Sequence, residues 1–401
     1  MWLIALSGGF VIIEPAPYEF LIAVAMVVFL AAGLVVRPLH VPLIALLLAY
    51  NIGYLIGVVP VITLEGTAMW TAVSCFMSFT TLFFALALVT DTASRLDMLL
   101  KGYMASAIVV SLFGIVTYFH LLPGSETFIF AMRSKATFKD PNVLGAFLVL
   151  PAVLAMQRVM LGGARNVVVA GFCALVVALE LLLAFSRGAW GVAAAAVLLT
   201  LLFTFLTSSS AKERLRIVVF AAAGLAVVAA VLALALTVPQ VQSLFEERAS
   251  LVQSYDSGRF GRFGRHILGA LLALDHPFGI GPLQFSKYFP EDPHNSFLDS
   301  FMAGGWLSGA AYIGLVLLTV GIGLRFVFVA APWRLAYIAV YSSFVALTGE
   351  SYIIDVQHWR HYFLIMGAVW GLIVAAAARR KAPRSTLAQV PRQTALARGA
   401  A

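Results

Sequence analysis

Leu181 to Val192 reads LLLAFSRGAWGV. Two apolar runs, about 166–185 and 188–206, meet here at a turn of a few residues that holds a bare arginine, Arg187. Each run is long enough to cross a hydrocarbon layer of about 30 Å as a helix. The stretch is therefore read as a membrane hairpin with a guanidinium at its tip. Ser186 suits the N-cap of the second helix. Arg187 has two readings. One is an arginine snorkelling to headgroups. The other is a guanidinium held for a phosphate, because charges near a membrane are costly and usually have a partner or a task. Glu180 is a candidate partner if the helix runs on.

The rest of the chain repeats this pattern. Of 401 residues, 62% are hydrophobic and only 11% are charged, more apolar surface than a soluble domain hides. About twelve apolar spans are expected, near 2–13, 18–36, 39–60, 67–90, 99–121, 142–160, 166–185, 188–206, 217–238, 296–324, 331–349 and 359–378. The fold class is all-α integral membrane: a polytopic bundle forming one domain over 1–378, with one sizeable loop at about 239–295. A basic tail, 379–401, follows and is expected to be disordered. The net charge of +8 sits largely in that tail and in short loops, which argues against nucleic acid as a partner. Placing the tail in the cytoplasm and alternating the spans puts Arg37, Arg95, Lys101, Arg158, Arg216, Arg325 and Arg334 on the cytoplasmic side, with both termini inside. Met1 to Ile13 lacks the basic start and cleavage site of a signal peptide. Cys75 and Cys173 lie in apolar runs and imply neither a disulfide framework nor a metal site.

The outer side then departs from the positive-inside rule in a few places. In RSKATFKDPNVLGAF, Arg133 to Phe147, Asp140 suits an N-cap and Pro141 the first helical position. Asn142 falls in the first turn, near Lys139. These residues are either an ordinary helix start or the polar rim of a site. In SGRFGRFGRHILGALLALDHPFGIGPLQF, Ser257 to Phe285, Arg259, Arg262 and Arg265 recur every three residues. They share one helix face if a helix forms, although Gly261 and Gly264 weaken it. They are either a solvated basic face or an anion-binding arm. His276-Pro277 with Gly279 and Gly281 reads as a tight turn. In DPHNSFLDSFMAGGWLSG, Asp292 can cap and Pro293 can start a helix, which places His294 and Asn295 in its first turn. His294 is either an interfacial histidine satisfied by the backbone or a general base.

The spans starting near Pro141, Gly188 and Pro293 all present their N-termini outward in this topology. Helix N-termini offer free N–H groups and partial positive charge, and so attract phosphates. With Arg187 and an arginine from 259–265 they suit a pyrophosphate. The positive surroundings would lower the His294 pKa and leave it neutral, ready to take a proton. No carboxylate cluster has metal-ligand spacing, so no metal or other cofactor is expected.

These motifs, in the order FKDPNVLGAFLVLP, AFSRGAWG, GRHILGALLALDHPFGIGPLQF and DPHNSFLDSFMAGGWLSG, resemble the O-antigen ligase and Wzy-type polymerase superfamily. The resemblance implies an inner-membrane glycosyltransferase of C-type architecture. Such an enzyme moves a glycan from an undecaprenyl-pyrophosphate carrier, on the periplasmic side, to lipid A core or to a second carrier-linked glycan. It implies inversion at the anomeric carbon, no metal, contact with membrane lipid, and for a polymerase a chain-length regulator as partner. Carried over by motif, Arg187 and Arg265 contact the pyrophosphate and His294 activates the acceptor hydroxyl. Asn295, Asp140 and Asn142 match recurring polar positions of open role, and Lys139, Arg262 and Arg259 are further candidates for substrate contact. The competing class is a transporter of polysaccharide or lipid-linked oligosaccharide, which predicts charges near the bilayer midplane, discontinuous helices or internal repeats.

Overall fold

The computed structural model describes residues 1–61, 66–249 and 258–381, and the tail beyond 381 lies outside them. Among the described residues there are fourteen α-helices. They are α1 (Trp2–Ser7), α2 (Pro17–Ala32), α3 (Val41–Gly57), α4 (Thr67–Ala87), α5 (Thr92–Tyr118), α6 (Pro141–Leu161), α7 (Ala164–Leu183) and α8 (Arg187–Thr207). There follow α9 (Ala211–Ala235), α10 (Pro239–Ala249), α11 (Arg262–Asp275), α12 (Ser296–Val327), α13 (Arg334–Glu350) and α14 (Arg360–Lys381). The 122–141 loop adds a minimal antiparallel hairpin of β1 (Ile129–Phe130) and β2 (Arg133–Ser134).

Eight helices are long and apolar enough to cross a membrane alone: α3 with its 3-10 lead-in, α4, α5, α6, α8, α9, α12 and α14. Helices α2 and α13 are shorter, at 16 and 17 residues, and α7 counts as a shorter apolar helix over Val167–Leu183. The run 2–13 is helical only over Trp2–Ser7, because Gly8 and Gly9 follow. The chain then goes on without helix, with Val11 N–H donating to the Thr137 carbonyl (3.1 Å). Close approach permits this. A Cβ at Gly9 would meet Val110 at 2.8 Å, and one at Gly102 would run into Trp2. Non-helical backbone is tolerated in such a protein only where protein covers it, and Gly9 and Val11 are buried.

Helix α14 is the central post, with 89% of its apolar window buried. Gly367 and Gly371, one turn apart, let the α4 backbone close in. Added Cβ atoms would meet Phe84 at 2.9 Å and Leu88 at 2.8 Å. Small residues at this spacing are how membrane helices gain dispersion contact where lipid supplies no hydrophobic drive. On the far side, Trp370 Nε1 donates to Thr319 of α12 (2.8 Å). Helix α9 is the opposite case, with 6% of its window buried.

Helix α12 is broken. Gly304 (φ −129°, ψ 16°) and Gly305 (φ 68°, ψ −167°) leave helical geometry. The freed backbone groups are satisfied by the turn at 276–282. Ile280 N–H donates to Met302 O (2.8 Å), and Trp306 N–H to Pro277 O (2.9 Å). Gly279 and Gly281 have positive φ, as the tight turn required. That turn packs on α3, where a Cβ at Gly281 would meet the Gly57 carbonyl at 2.8 Å. The discontinuous helix expected of a transporter is thus present, but backbone fills the gap and ordinary peptide hydrogen bonds close it.

Candidate functional site

Three helix N-termini meet at one end of the bundle. Asp140 caps α6, accepting from Asn142 N–H at 2.6 Å, with Pro141 at the first helical position as the sequence predicts. Ser186 caps α8, its Oγ accepting from Ala189 N–H at 3.2 Å. The two ends are close neighbours, since a Cβ at Gly145 would meet that of Ala189 at 2.5 Å. Helix α8 in turn abuts α13, where a Cβ at Gly188 would lie 2.7 Å from Glu350 Oε1. The next residue, Ser351, accepts from Ser296 N–H at 2.8 Å and so ties in the start of α12.

At α12 the sequence reading is three residues off. The cap is Asn295, not Asp292, with Oδ1 accepting from Leu298 N–H at 3.0 Å. His294 therefore lies outside the helix rather than in its first turn. Its φ of 49° is left-handed and cannot be part of a right-handed turn, so the helix can begin only after it. Both Asp292 and Asn295 are good caps by type, and the backbone at His294 decides between them.

His294 faces a residue the motifs do not contain. Its Nδ1 lies 3.2 Å from Asp355 Oδ2, on the loop between α13 and α14. The side chain is 44% exposed and that of Asp355 25%. The loop is pinned to the start of α12. Val356 N–H donates to Ser296 Oγ (2.8 Å), and Gln357 Nε2 donates to Ser296 O (3.1 Å) and Asp299 Oδ2 (2.9 Å). Asp355 raises the His294 pKa, chiefly through this hydrogen bond, against burial and against the charges of Arg262 and Arg265. The expectation of a lowered pKa is corrected. A carboxylate in contact outweighs two more distant guanidinium groups. Burial raises the Asp292 carboxyl, with Asp355 adding to it. Asp355 Oδ1 is buried without a hydrogen-bond partner among the described residues.

The arginines divide. Helix α11 begins at Arg262, so Arg262 and Arg265 stand three apart on it. Arg259 precedes the helix, exposed, and does not share that face. Arg265 is 2% exposed, and its Nη1 contacts Glu291 Oε2 at 2.5 Å. Beside it, His266 Nε2 donates to Pro293 O (2.8 Å) and fastens α11 to the strand of chain leading into α12. Burial lowers the His266 pKa. Arg187 is half-buried at the first position of α8. Its suggested partner Glu180 instead accepts from Ser134 Oγ at 2.6 Å.

The remaining candidates are committed elsewhere. Asn142 Oδ1 accepts from Arg133 Nη2 (2.7 Å), and Arg133 Nε also donates to Ala184 O (2.9 Å), at the end of α7. Lys139 pairs with Glu14 (2.5 Å), and Arg360 holds Glu14 and Glu19. That cluster adjoins His358, which burial pushes down to about 4 and whose ring lies on Trp70 with centroids 3.7 Å apart. Asp355, Gln357 and Arg133 are the residues that sequence reading missed at this end. With the tail in the cytoplasm, the alternation of spans puts the loop between 349 and 359 on the outer side, and that is the one hint at the first two.

The opposite end is basic and structural. Arg334 Nη2 donates to Thr207 O (3.1 Å), Arg216 Nη2 to Gly162 O (2.6 Å) and Arg95 Nη1 to Ala87 O (2.6 Å). No group of three metal-ligating side chains occurs among the described residues.

Residues 172–313 match the family model described as O-antigen ligase (Wzy_C). The matched stretch is about a third of the chain and holds Arg187, Arg259, Arg262, Arg265, His294 and Asn295. It bears out the resemblance to the O-antigen ligase and Wzy-type family, whose members are membrane enzymes of O-antigen ligation and polymerisation. Asp140, Asn142 and Asp355 lie outside it. Among curated proteins no match was found.

Proposed function

We propose that the chain transfers a glycan from an undecaprenyl-pyrophosphate carrier to an acceptor sugar hydroxyl at the end of the bundle that faces the periplasm, as an O-antigen ligase or an O-antigen or exopolysaccharide polymerase. The observation that carries this reading is the His294–Asp355 pair set beside Arg262 and Arg265, with the N-termini of α8 and α12 close by.

In this mechanism Asp355 accepts the Nδ1 proton of His294 and orients the ring, so that Nε2 is the nitrogen turned to the acceptor. Nε2 takes the hydroxyl proton. The freed oxygen attacks the anomeric carbon as the bond from that carbon to the pyrophosphate oxygen breaks, with inversion. The leaving lipid pyrophosphate gathers negative charge, which Arg187, Arg265 and Arg262 neutralise together with the helix N-termini. The acceptor is lipid A core or a second carrier-linked glycan, and a polymerase would work with a chain-length regulator. In this reading both termini are cytoplasmic, and the arginines at the opposite end of the bundle support it through the positive-inside rule.

The test is glycan transfer by purified protein supplied with a carrier-linked repeat unit. Folded His294→Ala and Arg187→Ala variants should lose transfer by about 100-fold or more. Unchanged transfer in either would overturn the assignment. A transporter would instead move the lipid-linked glycan across vesicles without making a new glycosidic bond.

A further inference from the structure

Arg265 and Glu291 form an asymmetric pair. The arginine side chain is 3% exposed and the glutamate side chain 66% exposed. Arg265 Nη1 meets the carboxylate at 2.5 Å, while its Nε is buried without a partner among the described residues. Glu291 lies in non-helical chain between Pro290 and Pro293, three residues before His294, and among the described residues its side chain pairs with Arg265. A buried guanidinium requires a counter-ion. Here a carboxylate reaches in from solvent to supply one.

We propose that Glu291 is the resident counter-ion of Arg265 and sets which anions the site accepts. This rests on reading Arg265 as a pyrophosphate-binding residue. An incoming anion must displace the carboxylate. A pyrophosphate can engage Arg265 and Arg262 together, because the two stand three apart on α11. A single phosphoryl group reaches one of them and must compete with Glu291 on nearly equal terms. After transfer, the returning carboxylate helps expel the product pyrophosphate.

If Glu291 closes the site about 90% of the time, it weakens anion binding about tenfold. The test uses the full chain in nanodiscs, with inorganic pyrophosphate and inorganic phosphate as probes in calorimetry. Wild-type protein should prefer pyrophosphate. Glu291→Gln should bind both anions more tightly, phosphate gaining most, so that the preference narrows. In transfer assays the same variant should show a lower KM for donor together with a lower kcat, as product leaves more slowly. Glu291→Asp, too short to reach the guanidinium, should behave alike. Unchanged affinities in both variants, or loss of the folded state in both, would overturn the proposal. Arg265→Ala separates the two layers. If it binds pyrophosphate as wild type does, the reading of Arg265 fails. If it loses pyrophosphate while Glu291→Gln changes nothing, only the role of Glu291 fails.

Discussion

His294 and Asp355 are 61 positions apart in the chain, yet their side chains meet at 3.2 Å because Ser296 and Gln357 lock the two segments together. The histidine gains a proton-holding partner that its own motif does not supply. This gives the first prediction. Asp355→Asn should keep the contact but remove the charge, lowering kcat by about 100-fold and moving the acid limb of the pH–rate profile to lower pH. A limb that stays in place would show that Asp355 does not tune the base.

The same pair has a stability consequence of definite sign. The folded-state pKa of His294 is raised, so the pair stabilises the fold fully below the unfolded value of about 6.5. That contribution is lost as pH rises through the folded pKa. The gap in melting temperature between wild type and His294→Ala should therefore be widest in mild acid and shrink above neutrality. A gap that grows with pH would contradict the pairing.

Asn295 is predicted to matter first as a cap. Asn295→Ala should destabilise the chain by about 1 kcal/mol, and Asn295→Asp, an equally good cap, should restore it. If Asp fails to restore thermal stability, the amide has another task.

Gly305 should not accept a side chain. Its φ of 68° disfavours any Cβ, and one placed there would meet Phe278 at 2.6 Å and Gly279 at 2.8 Å. Gly305→Ala should cost upward of about 1–2 kcal/mol and release the 276–282 turn, read as faster amide exchange at Ile280. Protection equal to wild type would mean the break relaxes freely.

Offering lipid A core against a second carrier-linked glycan should separate ligase from polymerase, since the two differ in acceptor and share the base and arginines. Transfer to one alone assigns the chain, and transfer to both would deny any acceptor selection.

Much of the site end was legible from local chemistry. Asp140 and Ser186 cap where their types and the following residues say they must, because capping is settled within four residues. The start of α12 was not legible, since two good caps stand three apart in Asp292-Pro293-His294-Asn295 and only the His294 backbone discriminates. Asp355 was out of reach because a contact between distant segments leaves no periodic trace. A short turn does separate α7 from α8 just before Arg187, but Glu180, one candidate partner for that arginine, accepts instead from Ser134 of another loop. The first apolar run had the composition of a span, yet Gly8 and Gly9 stop its helix after six residues.

Helix α9 has almost no protein to lean on, and at 25 residues it is about 37 Å long, more than the hydrocarbon layer it crosses. Its tilt is then set by lipid, a thicker bilayer standing it up and a thinner one laying it down. It continues into α10, whose Phe245 stacks on Trp190, three residues from Arg187, with ring centroids 5.6 Å apart. The helix most open to lipid is therefore joined, through α10 and the Phe245–Trp190 contact, to the helix that carries Arg187.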